Sequence, residues 1–184
     1  MEIKSNIIKI LMELQDNSSV LNEDELQRVV KLITQSNQVF LNGKGRSGLV
    51  IKAFANRLLH LGINSHIIGD ISTPRANAND LLIIGSGSGE TGSLIELAKS
   101  AKKLNMTVVV FTTANMSTLA KLADNYVVLP GITKFSQADC VNLQPMGSGF
   151  EQLLFITLDA IILELITVMN LSPEFMKGNH ANLE

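Results

Sequence analysis

Apolar positions recur along this chain with two different periods, and their order predicts the fold. Near the N-terminus, apolar residues keep to one helical face from Ile3 to Leu14 and again from Leu26 to Ile33. Asn22 is a suitable cap for the second of these helices, since Glu25 follows three residues later. Strands are predicted where short Val, Ile and Leu runs follow, at Gln38–Asn42, Asn64–Ile68, Leu81–Ile84, Thr107–Thr112 and Tyr126–Leu129. Amphipathic helices are predicted between them, at Ser47–Leu61, Thr91–Leu104 and Ser117–Ala123.

The apolar runs lack the strict alternation of strands that are buried on one face only. Continuous Val, Ile and Leu strands separated by helices are typical of a parallel sheet covered on both faces. The sequence therefore predicts an α/β fold, a doubly wound five-stranded parallel sheet of order 2-1-3-4-5 with helices on both faces. No internal repeat, low-complexity segment or linker interrupts the pattern, so residues 1–184 are assigned to a single domain.

Two glycine-rich loops follow the first and third predicted strands. Gly43–Gly48 has the sequence Gly-Lys-Gly-Arg-Ser-Gly, and Gly85–Thr91 has Gly-Ser-Gly-Ser-Gly-Glu-Thr. A glycine-rich turn between a strand and a helix exposes backbone N–H groups at the positive end of a helix dipole, which suits a phosphate. Strands 1 and 3 are neighbours in the predicted order, and ligands bind where that order reverses. Both loops are therefore predicted to close on one phosphorylated ligand.

Hydroxyl and amide groups in these loops are the candidate phosphate ligands. The predicted substrate-binding residues are Gly45, Arg46, Ser47, Ser86, Gly87, Ser88, Glu90 and Thr91. Arg46 is either a charged contact to the phosphate or sugar or an exposed arginine at a helix start. Glu90 either bonds sugar hydroxyls or forms a salt bridge or helix cap.

Composition argues against several other classes of protein. Fifteen basic and 17 acidic residues, with no basic block, argue against nucleic-acid binding. The lone Cys140 and three scattered histidines give no disulfide and no metal-ligand spacing, and they fit a reducing cytoplasm. His60 and His66 are expected to be ordinary helix-surface and strand residues.

Residues 150–169 approach the length of a membrane span, but three acidic residues interrupt them, which favours a buried helix. The start of the chain lacks the apolar region of a signal peptide, and cytoplasmic localisation is expected.

Further motifs after the two loops carry a family resemblance. The chain resembles the 6-phospho-3-hexuloisomerases, a branch of the sugar isomerase (SIS) domain family. This sequence departs from that family's pattern at three places. A small residue is expected at Lys44, a Thr-Leu-type pair at Ser148-Gly149, and commonly a basic residue at Asn179. The segments that carry the resemblance are Gly45–Gly48, Lys52–Gly62, Gly85–Thr91, Pro145–Gly147, Phe150–Gln152 and His180–Glu184.

The resemblance implies a reaction, partners and an assembly. The implied reaction interconverts D-arabino-hex-3-ulose 6-phosphate and fructose 6-phosphate, without a metal or an organic cofactor. The implied functional partner is hexulose-6-phosphate synthase, in formaldehyde fixation or pentose supply by the ribulose monophosphate pathway. The implied assembly is a dimer or tetramer, and the apolar stretch Phe150–Met169 is expected to be buried in it.

Moving a carbonyl from C3 to C2 requires removal of the C2 proton, an enediol, and reprotonation at C3. One carboxylate on the right face can make both transfers. Glu151 is the candidate base, because it begins an apolar helix where partial burial suits a base working near neutral pH. Spacing alone favours a first-turn glutamate that complements the helix dipole, and the resemblance favours the base. The resemblance also makes His180 a candidate proton shuttle, in its own or a neighbouring subunit, although a histidine near a terminus is ordinarily solvated.

Three other functions stay open. Gly43–Gly48 also fits a dinucleotide-binding oxidoreductase with Asp70 on the ribose, although the serine-rich second loop then has no purpose. A different SIS isomerase, acting on arabinose 5-phosphate or a heptose phosphate, would use the same loops. A non-catalytic sugar-phosphate sensor would also use them, although such regulators usually carry a DNA-binding module as well.

The connection Pro130–Gln144 is long, and loops of that length are usually functional or disordered.

Overall fold

The computed structural model describes residues 2–131 and 144–183. The described strands are β1 Val39–Gly43, β2 Ser65–Ile67, β3 Leu81–Gly85, β4 Thr107–Thr112 and β5 Asn125–Val128. The described helices are α1 Ile3–Ser18, α2 Glu23–Gln35, α3 Gly45–His60, α4 Gly92–Lys103, α5 Thr118–Leu122, α6 Ser148–Val168 and α7 Pro173–Gly178. Most of the long connection predicted after Pro130, with Cys140, lies outside the described residues.

The five strands form one parallel sheet in the order β2-β1-β3-β4-β5. This confirms the predicted doubly wound α/β fold. The register pairs Gly43, the last residue of β1, with Gly85, the last residue of β3. Because the two strands end level with each other, their glycine-rich loops leave the sheet at the same edge.

The sheet is buried on both faces, as the continuous apolar runs predict. Ile83 of β3 packs with residues from α1, α2, α3 and α6, whereas its neighbours Leu82 and Ile84 pack with residues of α4 and α5. All five residues of β3 are buried. Side chains alternate between the faces of a strand, so a strand covered on both sides must be apolar throughout.

The long helix α6 fills the space beside α3. Its buried residues are Phe150, Leu153, Leu154, Thr157, Leu158, Ile161, Ile162 and Leu165. It contacts α1, α2 and α3, which agrees with the buried helix predicted over residues 150–169. No helix in residues 2–131 or 144–183 combines the length and apolar character needed to cross a membrane.

The C-terminal segment differs from the sequence prediction. It contains a short helix, α7, that the sequence analysis does not predict. Ser172 caps α7 by accepting a hydrogen bond from the Phe175 N–H, and Pro173 follows the cap. The prediction that His60 is a helix-surface residue is wrong. Its side chain, at the end of α3, is buried.

Candidate active site

A cavity of about 290 Å³ lies at the carboxyl ends of β1 and β3. The predicted site residues that line it are Gly45, Arg46, Ser47, Ser86, Gly87, Ser88, Thr91 and Glu151. Both glycine-rich loops therefore face one cavity. Its position is the crevice where the strand order reverses, the usual ligand site of a doubly wound sheet.

Three helices begin at this cavity. Gly45 is the first residue of α3, Thr91 is the cap of α4, and Gly147 is the cap of α6, and all three line the cavity. In none of these helices does the cap side chain bond to a first-turn N–H. Uncapped N–H groups and the positive ends of three helix dipoles favour a bound anion. The sequence predicts the first two of these helix ends as the phosphate site, and α6 adds the third.

The start of α3 lies unusually close to the end of β1. A Cβ on Gly48 would lie 2.6 Å from the carbonyl oxygen of Gly43 and 2.9 Å from its carbonyl carbon. Only a residue without a side chain allows this approach. The close contact brings the first turn of α3, with Gly45 and Ser47, to the edge of the sheet.

The serine-rich loop is fixed to β4. Ser86 is 4% exposed, and its N–H donates to the carbonyl of Phe111. The carbonyl of Gly87 accepts hydrogen bonds from the Thr113 N–H at 3.0 Å and from the Thr113 hydroxyl at 2.9 Å. The Ser86 and Thr91 hydroxyl oxygens are 3.5 Å apart. Two hydroxyls therefore stand together at the cavity on a loop that the sheet holds in place.

Arg46 and Glu151 form an ion pair between α3 and α6. The Nε of Arg46 lies 2.5 Å from Oε2 of Glu151. The Glu151 side chain is 14% exposed, whereas the Arg46 side chain is 67% exposed. A pair with one solvated partner contributes little to stability, so a ligand can displace the guanidinium at small cost. The arrangement offers a shielded carboxylate beside an anion site.

Comparison with known proteins identifies the family. Residues 32–156 match the SIS domain family. The chain belongs to that family. It is 43% identical to the 3-hexulose-6-phosphate isomerase of Bacillus subtilis (strain 168), with all of both chains covered. It is 36% identical to the 3-hexulose-6-phosphate isomerase of Mycobacterium gastri, covering all of this chain and 92% of that one.

A solved structure is also similar to this SIS domain. A protein from Methanococcus jannaschii superposes with a TM-score of 0.80 at 31% identity, covering 98% of this chain and 96% of that chain. The crystal structure of that protein led to an inferred molecular function of 3-hexulose-6-phosphate isomerase for it. The resemblance drawn from the sequence motifs is therefore confirmed.

Glu90 of this SIS domain lies outside the cavity lining. Its carboxylate accepts hydrogen bonds from the Thr118 N–H at 2.7 Å and from the Thr118 hydroxyl at 2.8 Å. The backbone bond, then the hydroxyl bond, and to a smaller degree the charge of Lys121 lower the pKa of Glu90. Because Thr118 begins α5, this geometry supports the capping role rather than the sugar contact.

His180 also lies away from the cavity. Its ring stacks on that of His60, with centroids 4.9 Å apart and an interplanar angle of 23°. His60 ends the helix that Gly45 begins. At a rise of about 1.5 Å per residue, the two ends of α3 are separated by about 22 Å. Within one SIS domain, His180 and Glu151 are therefore at opposite ends of α3.

The cavity has further lining residues that the sequence analysis does not single out as site residues. They are Lys44, Gly85, Leu94, Met146, Gly147 and Phe150. Phe150 is buried, and its ring would lie 3.2 Å from a Cβ on Gly87, so it forms an apolar wall against the serine-rich loop. The sequence signal is Pro145-Met-Gly147 ahead of an apolar helix, the same glycine-to-helix pattern as in the two loops. Among residues 2–131 and 144–183, no three His, Cys, Asp or Glu side chains gather as a metal site.

Proposed function

We propose that residues 1–184 act as a single SIS domain that interconverts D-arabino-hex-3-ulose 6-phosphate and fructose 6-phosphate. Membership of the SIS family and relatives named 3-hexulose-6-phosphate isomerase support a sugar-phosphate isomerase. The observation that carries the proposal is the cavity, where three helix N-termini and a hydroxyl-rich loop meet beside a shielded carboxylate. An anion site next to a base is what proton transfer on a phosphorylated sugar needs.

In the proposed complex, the phosphate is bound at the ends of α3 and α4. The hydroxyls of Ser47, Ser86, Ser88 and Thr91 donate to its oxygens. The backbone N–H groups of Gly45 and Gly87 complete the set, as is common for a phosphate at a helix N-terminus. Charge-assisted bonds of this kind are about twice as strong as neutral ones. The carbon chain of the sugar then runs toward Glu151 on α6.

The proposed chemistry is a proton transfer between adjacent carbons. The Glu151 carboxylate removes the proton from C2 of the 3-ulose, the C2–H electron pair forms a C2=C3 double bond, and the C3 oxygen gains a proton. The C2 hydroxyl of this enediol then loses its proton as the C2 carbonyl forms, and Glu151 returns its proton to C3. Substrate binding releases Arg46 from Glu151, and its guanidinium pairs with the phosphate or the sugar. The reaction is redox-neutral, and we propose that it needs no metal or organic cofactor.

The proposed proton shuttle between the C2 and C3 oxygens is His180. Because His180 lies at the far end of α3 from its own cavity, we propose that it serves the cavity of a neighbouring subunit. An imidazole suits this step, since one ring nitrogen can donate a proton while the other accepts one. The proposed synthase partner, hexulose-6-phosphate synthase, would supply the 3-ulose in the cytoplasm.

Apolar side chains outside the core support the proposed dimer or tetramer. On α1, five large apolar residues are exposed: Ile3, Ile7, Ile8, Leu11 and Met12. On α6, which contacts α1, four further apolar residues are exposed: Phe155, Ile156, Leu163 and Val168. Exposed large apolar side chains in this number support an interface, because a free surface rarely carries a large apolar patch.

The oligomer is tested by sedimentation velocity. We expect the wild type to sediment well above the 20.0 kDa of one chain. Leu11→Glu places a charge in the apolar patch and is expected to shift the distribution toward the monomer. Lys9→Glu changes charge on the opposite side of α1 and is expected to leave the assembly intact. An active wild type that sediments as a monomer would refute both the oligomer and the neighbouring-subunit role of His180.

The phosphate contacts are tested by removing one hydroxyl. Ser86→Ala is expected to raise the KM for fructose 6-phosphate about 10- to 100-fold, because a hydrogen bond to a charged group contributes about 1.5–3 kcal/mol. Ser100→Ala is the matched control, since the exposed Ser100 hydroxyl donates to the Glu96 carbonyl within α4, away from the cavity lining. An unchanged KM in Ser86→Ala, with Ser100→Ala also unchanged, would remove Ser86 from the phosphate site.

The reaction itself is tested by NMR of fructose 6-phosphate incubated with the protein in D₂O. Deuterium at C3 together with a new 3-ulose species is the expected result. Exchange at C1 with formation of glucose 6-phosphate would instead identify an aldose–ketose isomerase. Binding of fructose 6-phosphate without any product would favour a sensor or another substrate. If the base returns the same proton to the sugar, no deuterium enters from the solvent. Formation of the 3-ulose is therefore the deciding observation.

A further inference from the structure

The described residues of the C-terminal tail make at least three contacts with the end of α3. The Nδ2 of Asn179 donates to the carbonyl oxygen of His60 at 3.2 Å. The ring of His180 stacks on the ring of His60. The ring of Phe175 lies 3.1 Å from the position of a Cβ on Gly62 and therefore packs directly on the glycine backbone. Two of the three contacts are made to the same residue, His60.

These contacts matter because α7 is short and lies at the surface, with Met176 only partly buried against the core. It has six residues, and none of them is buried. A helix this short is not stable alone in water. The position of the tail therefore depends on the surface that it packs against, which is the C-terminal end of α3.

His60 is suited to this task by its place in the fold. It is the last residue of α3, where carbonyl groups have no partner within the helix. Its carbonyl can therefore accept the Asn179 amide. Its side chain is 6% exposed, so the ring is held in place by its surroundings. A fixed ring gives His180 a rigid platform for an offset stack.

We propose that His60 is a positioning residue for His180. Its ring and its carbonyl hold the tail so that the His180 imidazole is presented to a neighbouring subunit's cavity in a fixed orientation. The inference rests on the proposed function of His180. It also gives Asn179 a purpose, since the amide at this departure from the family pattern is the donor that reaches the His60 carbonyl.

Two variants of His60 separate ring stacking from other effects. His60→Ala removes the stack and is expected to lower kcat about 3- to 10-fold, the range that a lost aromatic contact implies. The KM for fructose 6-phosphate is expected to stay unchanged, because the phosphate site is at the other end of α3. His60→Phe keeps an aromatic ring and is expected to restore kcat. His66→Ala is the control, because His66 also has an aromatic neighbour, Phe40, but lies on β2.

The direct readout is NMR of the histidine ring protons in the assembled protein. The chain has three histidines, so single variants assign them. His60→Ala is expected to move the His180 resonances through loss of the ring current, and His60→Phe to keep a ring-current shift. If His60→Ala leaves both the His180 resonances and kcat unchanged, the proposal is overturned. Failure of His60→Phe to restore kcat in a folded protein would also overturn it.

The same experiment distinguishes this inference from the proposed function. If wild-type protein gives no 3-ulose from fructose 6-phosphate, the proposed function fails, whatever the His180 resonances show. If the wild type is active and Asn179→Ala leaves both the His180 resonances and kcat unchanged, the carbonyl contact has no positioning role and the inference fails in that part. Where His60→Ala does not fold, His60→Phe and Asn179→Ala still provide the measurement.

Discussion

Replacing Glu151 by glutamine is expected to lower the turnover of fructose 6-phosphate about 10²- to 10⁴-fold, the range for a positioned general base. Glutamine has nearly the same shape as glutamate, but its amide does not accept the C2 proton. The phosphate contacts are on α3 and α4, so the KM is expected to change little. Steady-state rates of 3-ulose formation measure the effect. Near-wild-type turnover would remove Glu151 from the role of base.

Glu164→Gln is the matched control for this variant. Glu164 is on the same helix, α6, but lies more than three turns beyond the cavity. It is expected to keep wild-type turnover. Loss of activity in both variants would point to damage to α6 rather than to loss of a base.

The ion pair between Arg46 and Glu151 requires a second control. Removing Glu151 also frees Arg46, so a loss of activity in Glu151→Gln alone does not distinguish the carboxylate from the guanidinium. Arg46→Gln and the double variant with Glu151→Gln close a double-mutant cycle. If Glu151 is the base, Arg46→Gln alone retains most of kcat, and the double variant is no slower than Glu151→Gln. The cycle thus separates the proton transfer from the charge pair.

The sheet was predictable because its signals are local. β1, β3 and β4 are continuous apolar runs, and each was predicted within one residue of its bounds. The edge strand β2 is shorter than predicted, at three residues, and its residues are only half-buried. An edge strand has one neighbour, so its apolar pattern defines its ends less sharply.

The start of α3 shows how glycine shifts a boundary. The amphipathic pattern predicts a start at Ser47, whereas the helix begins at Gly45. Gly45 has φ +58°, a conformation that favours glycine. Apolar periodicity cannot report such a residue, since it contributes no side chain to either face.

The parts of the site that sequence reasoning did not place depend on distant contacts. Glu90 finds its partner at Thr118, 28 residues away, and Asn179 reaches His60, 119 residues away. No local pattern contains those pairs. The helix α7 is different, because Ser172 and Pro173 are a local start signal that is readable in the sequence.

The second large effect is expected from Gly48→Ala. The added Cβ would lie 2.6 Å from the Gly43 carbonyl oxygen, a backbone atom that cannot move without shifting β1 or α3. Overpacking of this kind costs about 1–3 kcal/mol of the free energy of unfolding. The displaced first turn of α3 carries Gly45 and Ser47, so we also expect the KM for fructose 6-phosphate to rise at least about tenfold, the equivalent of one lost hydrogen bond to a charged group.

Gly92→Ala provides the contrast that makes this prediction specific. Gly92 is the first residue of α4, and a Cβ there would meet no atom within 4 Å. Alanine limits the unfolded chain and favours a helix, so this variant is expected to be neutral or to gain about 0.5–1 kcal/mol in the free energy of unfolding. Urea unfolding of both variants, followed by KM measurement, gives the comparison. Equal free energies of unfolding for the two variants would mean that β1 and α3 can move apart without loss of stability. The phosphate site would then not depend on their close approach.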